Sequence, residues 1–167
     1  MRDPADRELV RASQLGSSAA FDVLLRRYDT TVYAVTFGSL LDHRDAEDAA
    51  QNAFLRAWDR LETLRQPESF AAWMARIAHT CVADLRRRQS RDVVMDVHTE
   101  FAEEPNATVD QEQYAVREDI ERLVEAGLRS LPESQRIALT MRYIGRRSYA
   151  EIAECLSLTQ NAAHRRV

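Results

Sequence analysis

Phe21, Leu24, Leu25, Tyr28, Val32 and Val35 fall at i, i+3, i+4, i+7, i+11 and i+14. Among regular structures only an α-helix, at about 3.6 residues per turn, sets those six side chains along one stripe. A strand would scatter them over both of its faces. The same spacing recurs down the chain. Ala49, Ala50, Ala53, Phe54, Ala57, Trp58 and Leu61 form a second stripe, on a helix expected from about Ala46 to Leu61. Phe70, Trp73, Ile77, Cys81 and Leu85 form a third, with Trp73 expected to pack in the core. Four glycines and four prolines in 167 residues leave few turn formers for a β protein, and an apolar fraction of 45% is enough for a real core. No stretch reads as a strand and no repeat is visible, so the chain is expected to be all-α.

The breaks between stripes divide the helices into two bundles. Asp42 to Asp45 punctuates before the second stripe, and Asp45, Glu47 and Asp48 crowd its expected first turn, where the helix dipole favours anions. LETLRQPES reads as a loop, with Pro67 near the next helix start. The third helix is expected to end in Arg86, Arg87 and Arg88, cations suited to a C-terminus. From Ser90 to about Ala115 the periodicity fades into acids, Pro105, Asn106 and Thr108, the composition of a flexible linker. A helix with Ile120, Leu123, Val124, Gly127 and Leu128 follows. Pro132 opens another, with Ile137, Ala138, Met141 and Ile144, stopped by Gly145.

Charge is uneven. The net charge is −4, a weak argument against plain non-specific DNA binding. Residues 61–92 sum to +2 and residues 131–167 to +3, while residues 93–130 between them sum to −7. Two mildly basic parts joined by an acidic connector fit that distribution. All 23 basic residues are arginines, spread along the chain, a bias better explained by a GC-rich genome than by phosphate recognition. No apolar run approaches the roughly 18 residues of a membrane span. MRDPADRELVRASQLG has no apolar stretch of the kind a secretion signal needs. Cys81 and Cys155 are read as reduced, buried thiols of a cytoplasmic protein, and no spacing resembles a zinc site or calls for a cofactor.

The segment SYAEIAECLSLTQNAAHRRV has the proportions of a helix-turn-helix. Ser148 with Glu151 three residues on is a capping box, Ser157 and Leu158 make the turn, and Thr159 caps a last helix. Ala153 is small enough for a close crossing, and Ile152, Leu156, Leu158 and Val167 form the core between the helices. On that geometry Gln160, Asn161, His164 and Arg165 face a major groove, and Arg166 reaches phosphate. The alternative is a helical hairpin that packs on something else.

DHRDAEDAAQNAFLRAWDRL, LRQPESF and AAWMARIAHTCVADLRRRQSR together resemble conserved region 2 of bacterial sigma factors, and LRSLPESQRIALTMRYIGRRSYAEIAECLSLTQNAAHRRV resembles region 4. With a short linker and no region 3 between them, the chain looks like a sigma factor of the extracytoplasmic-function type. The resemblance implies region 2 over residues 1–92, an acidic linker over 93–115 and region 4 over 116–167. It implies a non-enzymatic initiation factor that binds core RNA polymerase through the β′ clamp helices and the β subunit. It also implies promoter DNA and an anti-sigma factor as partners.

Carried over residue by residue, the resemblance places polymerase contacts at Asp45, Glu47, Asp48, Gln51, Asn52 and Leu55. Acids and amides on an exposed helix face suit a basic coiled coil. It places recognition and melting of the −10 element at Arg65, Ser69, Phe70, Arg76, His79, Thr80, Arg86, Arg87 and Arg88. A loop and helix there capture a flipped base, and cationic side chains hold the strand. It places −35 recognition at Ser148, Thr159, Gln160, Asn161, His164, Arg165 and Arg166. Asn52 stands where the family usually has Glu, and Thr80 where Asn is frequent. Ser157 stands where the turn usually has Gly, and Ala163 where a larger β-branched residue is usual. The recognition helix, Thr159 to Val167, stops at least a turn earlier than in the family. Two other readings are weaker: a helix-turn-helix regulator that binds its operator without polymerase, and a metal-dependent helical enzyme, for which the sequence has neither HExxH nor a paired Glu-x-x-His.

Overall fold

The computed structural model describes residues 4–95 and 123–167. The long stripe forms α2, Ser18–Leu40, opened by Ser17, whose hydroxyl accepts from the Ala20 amide at 3.3 Å. It ends at Leu41, which takes a left-handed conformation at φ 55° and sends its amide back to the Phe37 carbonyl. Asp42 then caps α3, His43–Arg60, by accepting from the Asp45 amide at 2.8 Å. Because this helix starts three residues earlier than the stripe indicates, Glu47 and Asp48 lie in its second turn, and only Asp45 is a first-turn acid. Two short 3₁₀ turns, Leu61–Thr63 and Pro67–Ser69, carry the chain into α4, Phe70–Met95. That helix does not end at the arginine cluster. No glycine or proline interrupts it there, so Arg86, Arg87 and Arg88 lie within the helix, and residues 90–95, expected in the linker, are helical.

A further helix, α1 (Asp6–Gln14), precedes the predicted ones. Its few apolar residues, Leu9 and Val10, are buried. Its N-terminus is bolted to α2 by Asp6, which accepts from both Arg27 and the Tyr28 hydroxyl. Around these four helices lies one apolar core in which Val10, Leu24, Val35, Phe70 and Met74 are all but inaccessible. Alanines at 49, 53 and 57 let α3 approach its neighbours closely.

The second set begins with α5, a helical stretch over residues 123–129. Ile120 lies outside the described residues. Leu123 and Val124 are exposed, and only Leu128 of that expected stripe is buried, in a small cluster with Phe37, Leu41 and Ala46. Next come α6 (Glu133–Tyr143), α7 (Tyr149–Cys155) and α8 (Gln160–Arg166). Ile144, expected in the core of α6, is on the surface beyond the helix end. Gly145 does allow a close approach, since a Cβ there would sit 2.8 Å from the Met141 carbonyl oxygen, but the left-handed residue after the helix is Arg146.

The two sets pack on each other. α6 lies along α2, where Gly38 leaves room: a Cβ at that position would be 2.6 Å from Thr140 Oγ1 and 2.8 Å from Ile137 Cα. Thr140 donates to the Ala34 carbonyl at 2.7 Å, and Arg136 donates to the Gly38 carbonyl at 3.0 Å. Arg147 reaches Thr31 Oγ1 and the Arg27 carbonyl, each at 2.6 Å, with its guanidinium over the Tyr28 ring. Among the described residues there is no strand, and no helix is long and apolar enough to cross a membrane. The linker expected over 93–115 lies outside the described residues apart from its first three.

Candidate polymerase and nucleic-acid interfaces

On α3 the face opposite the alanines carries Glu47, Asp48, Gln51, Asn52 and Leu55, all exposed. Their spacing of three and four residues makes them neighbours. The Asn52 amide is turned along the helix to donate to the Asp48 carbonyl at 2.8 Å. Asp45 sits apart from this row, half-buried, because Gln89 of α4 donates to its carboxylate at 2.7 Å. Leu55 is 67% exposed, a large value for leucine. Beside it lies Trp58, which was expected in the core but is 40% exposed and packs edgewise on Phe21 with centroids 5.0 Å apart. Its stripe is filled by alanines, which bring α3 too near α2 for an indole to fit between them. Trp58, Leu55, Phe54, Phe21, Leu25 and Tyr33 instead line an apolar groove of about 650 Å³ rimmed by Asp29, Glu47 and Gln51. The signal for this groove was present in Leu55, a large apolar residue off the alanine stripe and three residues before Trp58.

The residues assigned to the −10 element fall on several surfaces. Arg65 is exposed in the loop, and Ser69 is half-buried with its hydroxyl 3.4 Å from Gln66 Oε1. Phe70 is not available to DNA: it is 1% exposed and meets the Tyr28 ring edge-on at 5.2 Å, so it belongs to the core. Trp73, half-buried, leans on Phe70 at the margin of that core. On α4 the positions 76, 80, 87 and 91 share one face at about 100° per residue. Arg76, Thr80, Arg87 and Arg91 are all exposed there. Asp84 anchors Arg87 at 2.5 Å and also takes Arg56 of α3, and these two hydrogen bonds hold its carboxyl below the usual carboxylate range. Arg88 is exposed on the side toward α3, at the rim of a small polar pocket that includes Asn52 and Arg56.

His79 and Arg86 point elsewhere, toward α6. Arg86 donates to the Ser39 carbonyl at 2.7 Å and pairs with Glu133 at 3.3 Å. His79 is half-buried between the helix sets. Burial pushes its imidazole below the ordinary histidine value; nearby Arg86 adds to that, and Glu133 opposes it.

In the helix-turn-helix the local signals are realised. Ser148 accepts from the Glu151 amide at 3.3 Å, and its own amide donates to Glu151 Oε2 at 2.8 Å. Burial alone would raise the Glu151 carboxyl, but the hydrogen bonds from Ser148 and Arg147 hold it low. Ser157 adopts the left-handed conformation at φ 53°, a strain of about 1 kcal/mol for a residue with a Cβ. The turn closes with the Leu158 amide on the Ala153 carbonyl at 2.8 Å. Thr159 then caps α8 at the Ala162 amide. Ile152 and Ala163 are fully buried, and Leu156, Leu158 and Val167 pack against them. Gln160, Asn161, His164 and Arg165 are therefore exposed together, with Arg166 half-buried. The His164 ring rests 4.5 Å from Tyr149, an aromatic support the sequence reading did not anticipate.

Cys81 and Cys155 are both buried thiols, and burial pushes Cys155 up to about 12. Neither is poised as a nucleophile. Among the described residues no group of three or more His, Cys, Asp or Glu could hold a metal ion.

Comparison with known proteins follows the same division. Residues 24–92 match the family described as sigma-70 region 2, and residues 121–167 match sigma-70, region 4. RNA polymerase sigma-H factor of Pseudomonas aeruginosa is 32% identical over 170 residues, an alignment that covers 97% of this chain and 88% of that protein. The ECF RNA polymerase sigma-E factor of Escherichia coli K12 is 30% identical with the same coverage. A solved structure of CnrH in complex with the cytosolic domain of CnrY superposes with a TM-score of 0.64 at 26% identity, covering 98% of this chain and 90% of that one.

Proposed function

The chain belongs to the extracytoplasmic-function sigma factors of the sigma-70 family, and from that membership we propose how its surfaces divide the work of initiation. As a sigma factor it is a non-enzymatic transcription initiation factor that directs RNA polymerase to promoters. The α3 face of Glu47, Asp48, Gln51, Asn52 and Leu55 docks on the β′ clamp helices, with Asp45 turned toward α4 at its edge. Opposite charge at such a face steers association. Exposed Leu55, beside Trp58, adds apolar area at the centre of the contact, where interfaces concentrate their energy.

The Arg65–Ser69 loop and the α4 face of Arg76, Thr80 and Arg87 take the −10 element and help to melt it. Arg88 adds phosphate contact from the neighbouring side. Arg86 and His79 face α6 in this structure, so they join the −10 surface only once the two helix sets part. The acidic linker over 93–115 passes between region 2, residues 1–92, and region 4, residues 116–167, with the second unit also placed against the β subunit.

Recognition of the −35 element belongs to α7 and α8. The observation that carries this is the joint exposure of Gln160, Asn161, His164 and Arg165 on a helix whose opposite side is closed by Ala163. Ser148 and Thr159 act there as helix caps, fixing where the two DNA-facing helices start. CnrH was solved with the cytosolic domain of CnrY, which supports a protein partner of the anti-sigma kind for this chain as well. The site of action is the cytoplasm.

The test is selection of bound sequences from a randomised DNA library by core polymerase carrying this chain or Arg165→Ala. The expected result is two sequence elements, with preference in the upstream one alone weakened, by about 1–3 kcal/mol at the base Arg165 reads. Equal weakening in both elements, or sequence selection by the chain without polymerase, would remove this reading.

A further inference from the structure

The residues matched to sigma-70 region 2 begin at 24, so α1 lies outside that match, yet it is fastened to the loop between α3 and α4. Its last residue, Gln14, spends both hydrogens of one amide nitrogen on the loop that follows α3. Nε2 donates to the Leu61 carbonyl at 3.0 Å and to the Leu64 carbonyl at 2.9 Å. The first of these oxygens also takes the Leu64 amide of the 3₁₀ turn. For the second, Gln14 is the protein donor found among the described residues.

The loop is thus pinned on both sides of a short gap. Upstream, Leu64 is held by Gln14 at its carbonyl and by its side chain, which is buried in the core. Downstream, Pro67 is buried and its 3₁₀ turn packs against α1. Between these posts stand only Arg65 and Gln66, both exposed. The pin itself does not give. Asp6 fastens the start of α1 to Arg27 and Tyr28 of α2, and Leu9 and Val10 are in the core. α1 is therefore a strut that runs from α2 to the loop.

We propose that Gln14 is a positioning residue for promoter melting: by fixing the Leu61 and Leu64 carbonyls it holds Arg65 and Ser69 where an unstacked non-template base is captured. The inference rests on the loop's role given under Proposed function. Selective capture needs the contacting groups held to within about 0.5 Å and 10–20°. A two-residue span between fixed ends meets that demand, and the same span attached to a free carbonyl does not. Gln14 touches no DNA in this account. It acts through the backbone, so its loss should flatten the choice among bases more than it weakens attachment to polymerase.

The experiment uses polymerase reconstituted from purified bacterial core and the full chain. The probe is single-stranded DNA randomised over the −10 positions, and the readout is the affinity ratio of the preferred base to the others at each position. Gln14→Leu removes the donor and Gln14→Glu replaces it with an acceptor. Both are expected to flatten preference at one position by about fivefold, the scale of one or two ordinary hydrogen bonds. Co-elution with core should be unchanged. Arg65→Ala should flatten the same position. Ser13→Ala removes a hydroxyl bonded within α1 and keeps the Gln14 amide, so it should leave the ratios intact. If Arg65→Ala flattens the ratio and the Gln14 variants do not, the positioning role is overturned and the loop's role stands. If none of them does, the loop's role falls and the inference with it. Equal flattening by Ser13→Ala would reduce Gln14 to general support of α1 and overturn the proposal.

Discussion

α2, α3 and α4 run to 23, 18 and 26 residues and, with α1, supply most of one continuous apolar core, whereas α6, α7 and α8, which join that core through Ile137, Met141 and Ile152, have only 11, 7 and 7 residues. Isolated helices shorter than about 12–15 residues are marginal in water. The second set compensates in two ways. It invests in local signals, namely the Ser148 box, the left-handed turn at Ser157 and the Thr159 cap. It also leans its longest helix on α2, through Gly38, Thr140, Arg136 and Arg147. The long-helix bundle supplies most of the shared core, and the short helices complete it. Long-range burial and short-range capping are alternative routes to the same helical state.

The largest effect should separate the two ends of that shared core. Phe70→Ala removes a ring that is 1% exposed and should cost about 3–5 kcal/mol, unfolding the long-helix bundle in a denaturant titration. Ile152→Ala, also fully buried, should cost about 2–5 kcal/mol but leave that bundle standing. Both tryptophans, Trp58 and Trp73, are carried by the long helices, so their fluorescence reports on the bundle. A shift of the fluorescence midpoint by Ile152→Ala equal to that by Phe70→Ala would erase the distinction.

Next in size is Gly38→Leu. Its side chain would collide with the α6 backbone, and overpacking costs about 1–3 kcal/mol, which parting of the two sets can relieve. Small-angle scattering should show a larger particle with an unchanged far-UV spectrum. An unchanged radius with lost helicity would mean that α6 contributes to the bundle's own stability.

Arg147→Ala should act more weakly in the same direction. It removes hydrogen bonds to Thr31, the Arg27 carbonyl and Glu151, from a side chain 20% exposed. About 0.5–1.5 kcal/mol should be lost, visible as faster hydrogen exchange in α7 with protection in α3 retained. Loss of protection in α3 would contradict a contact confined to the junction.

The smallest effect is one of pH. Folding lowers the His79 value below its ordinary 6.5, chiefly by burial, so the unfolded chain takes up the proton first. The stabilisation is present above that ordinary value and is lost as pH falls through the lowered one. Unfolding midpoints of the intact chain should decline over that acidic range, and less so in His79→Gln. Equal decline in both would place the titration elsewhere.

Local rules were legible where they act alone. Ser148 with Glu151, Thr159, Ser157 and the buried Ala163 need only their near neighbours, and each stands where the spacing put it. Periodicity also identified every long helix. It says which face is apolar, but not what covers that face. Hence Trp58, excluded from a contact closed by alanines, and Leu123, Val124 and Ile144 were expected inside and lie outside. Phe70 erred the other way, since a resemblance gives a residue's neighbourhood and not its burial. α1 escaped notice because Leu9 and Val10 are its only large buried side chains, and its fastening through Asp6 and Gln14 spans separations of 21 to 50 residues. The role of Arg86 was hidden for the same reason, because its partner Glu133 is 47 residues away.

The most direct test of the docking face is co-elution of the chain with purified bacterial core RNA polymerase, set beside Asp48→Arg with Gln51→Ala. Both substitutions are exposed and should leave the fold intact, as a far-UV spectrum will show. The account predicts that the native chain travels with polymerase and that the double variant elutes alone, still folded. A folded double variant that travels with polymerase as well as the native chain does would contradict the assignment of the α3 face.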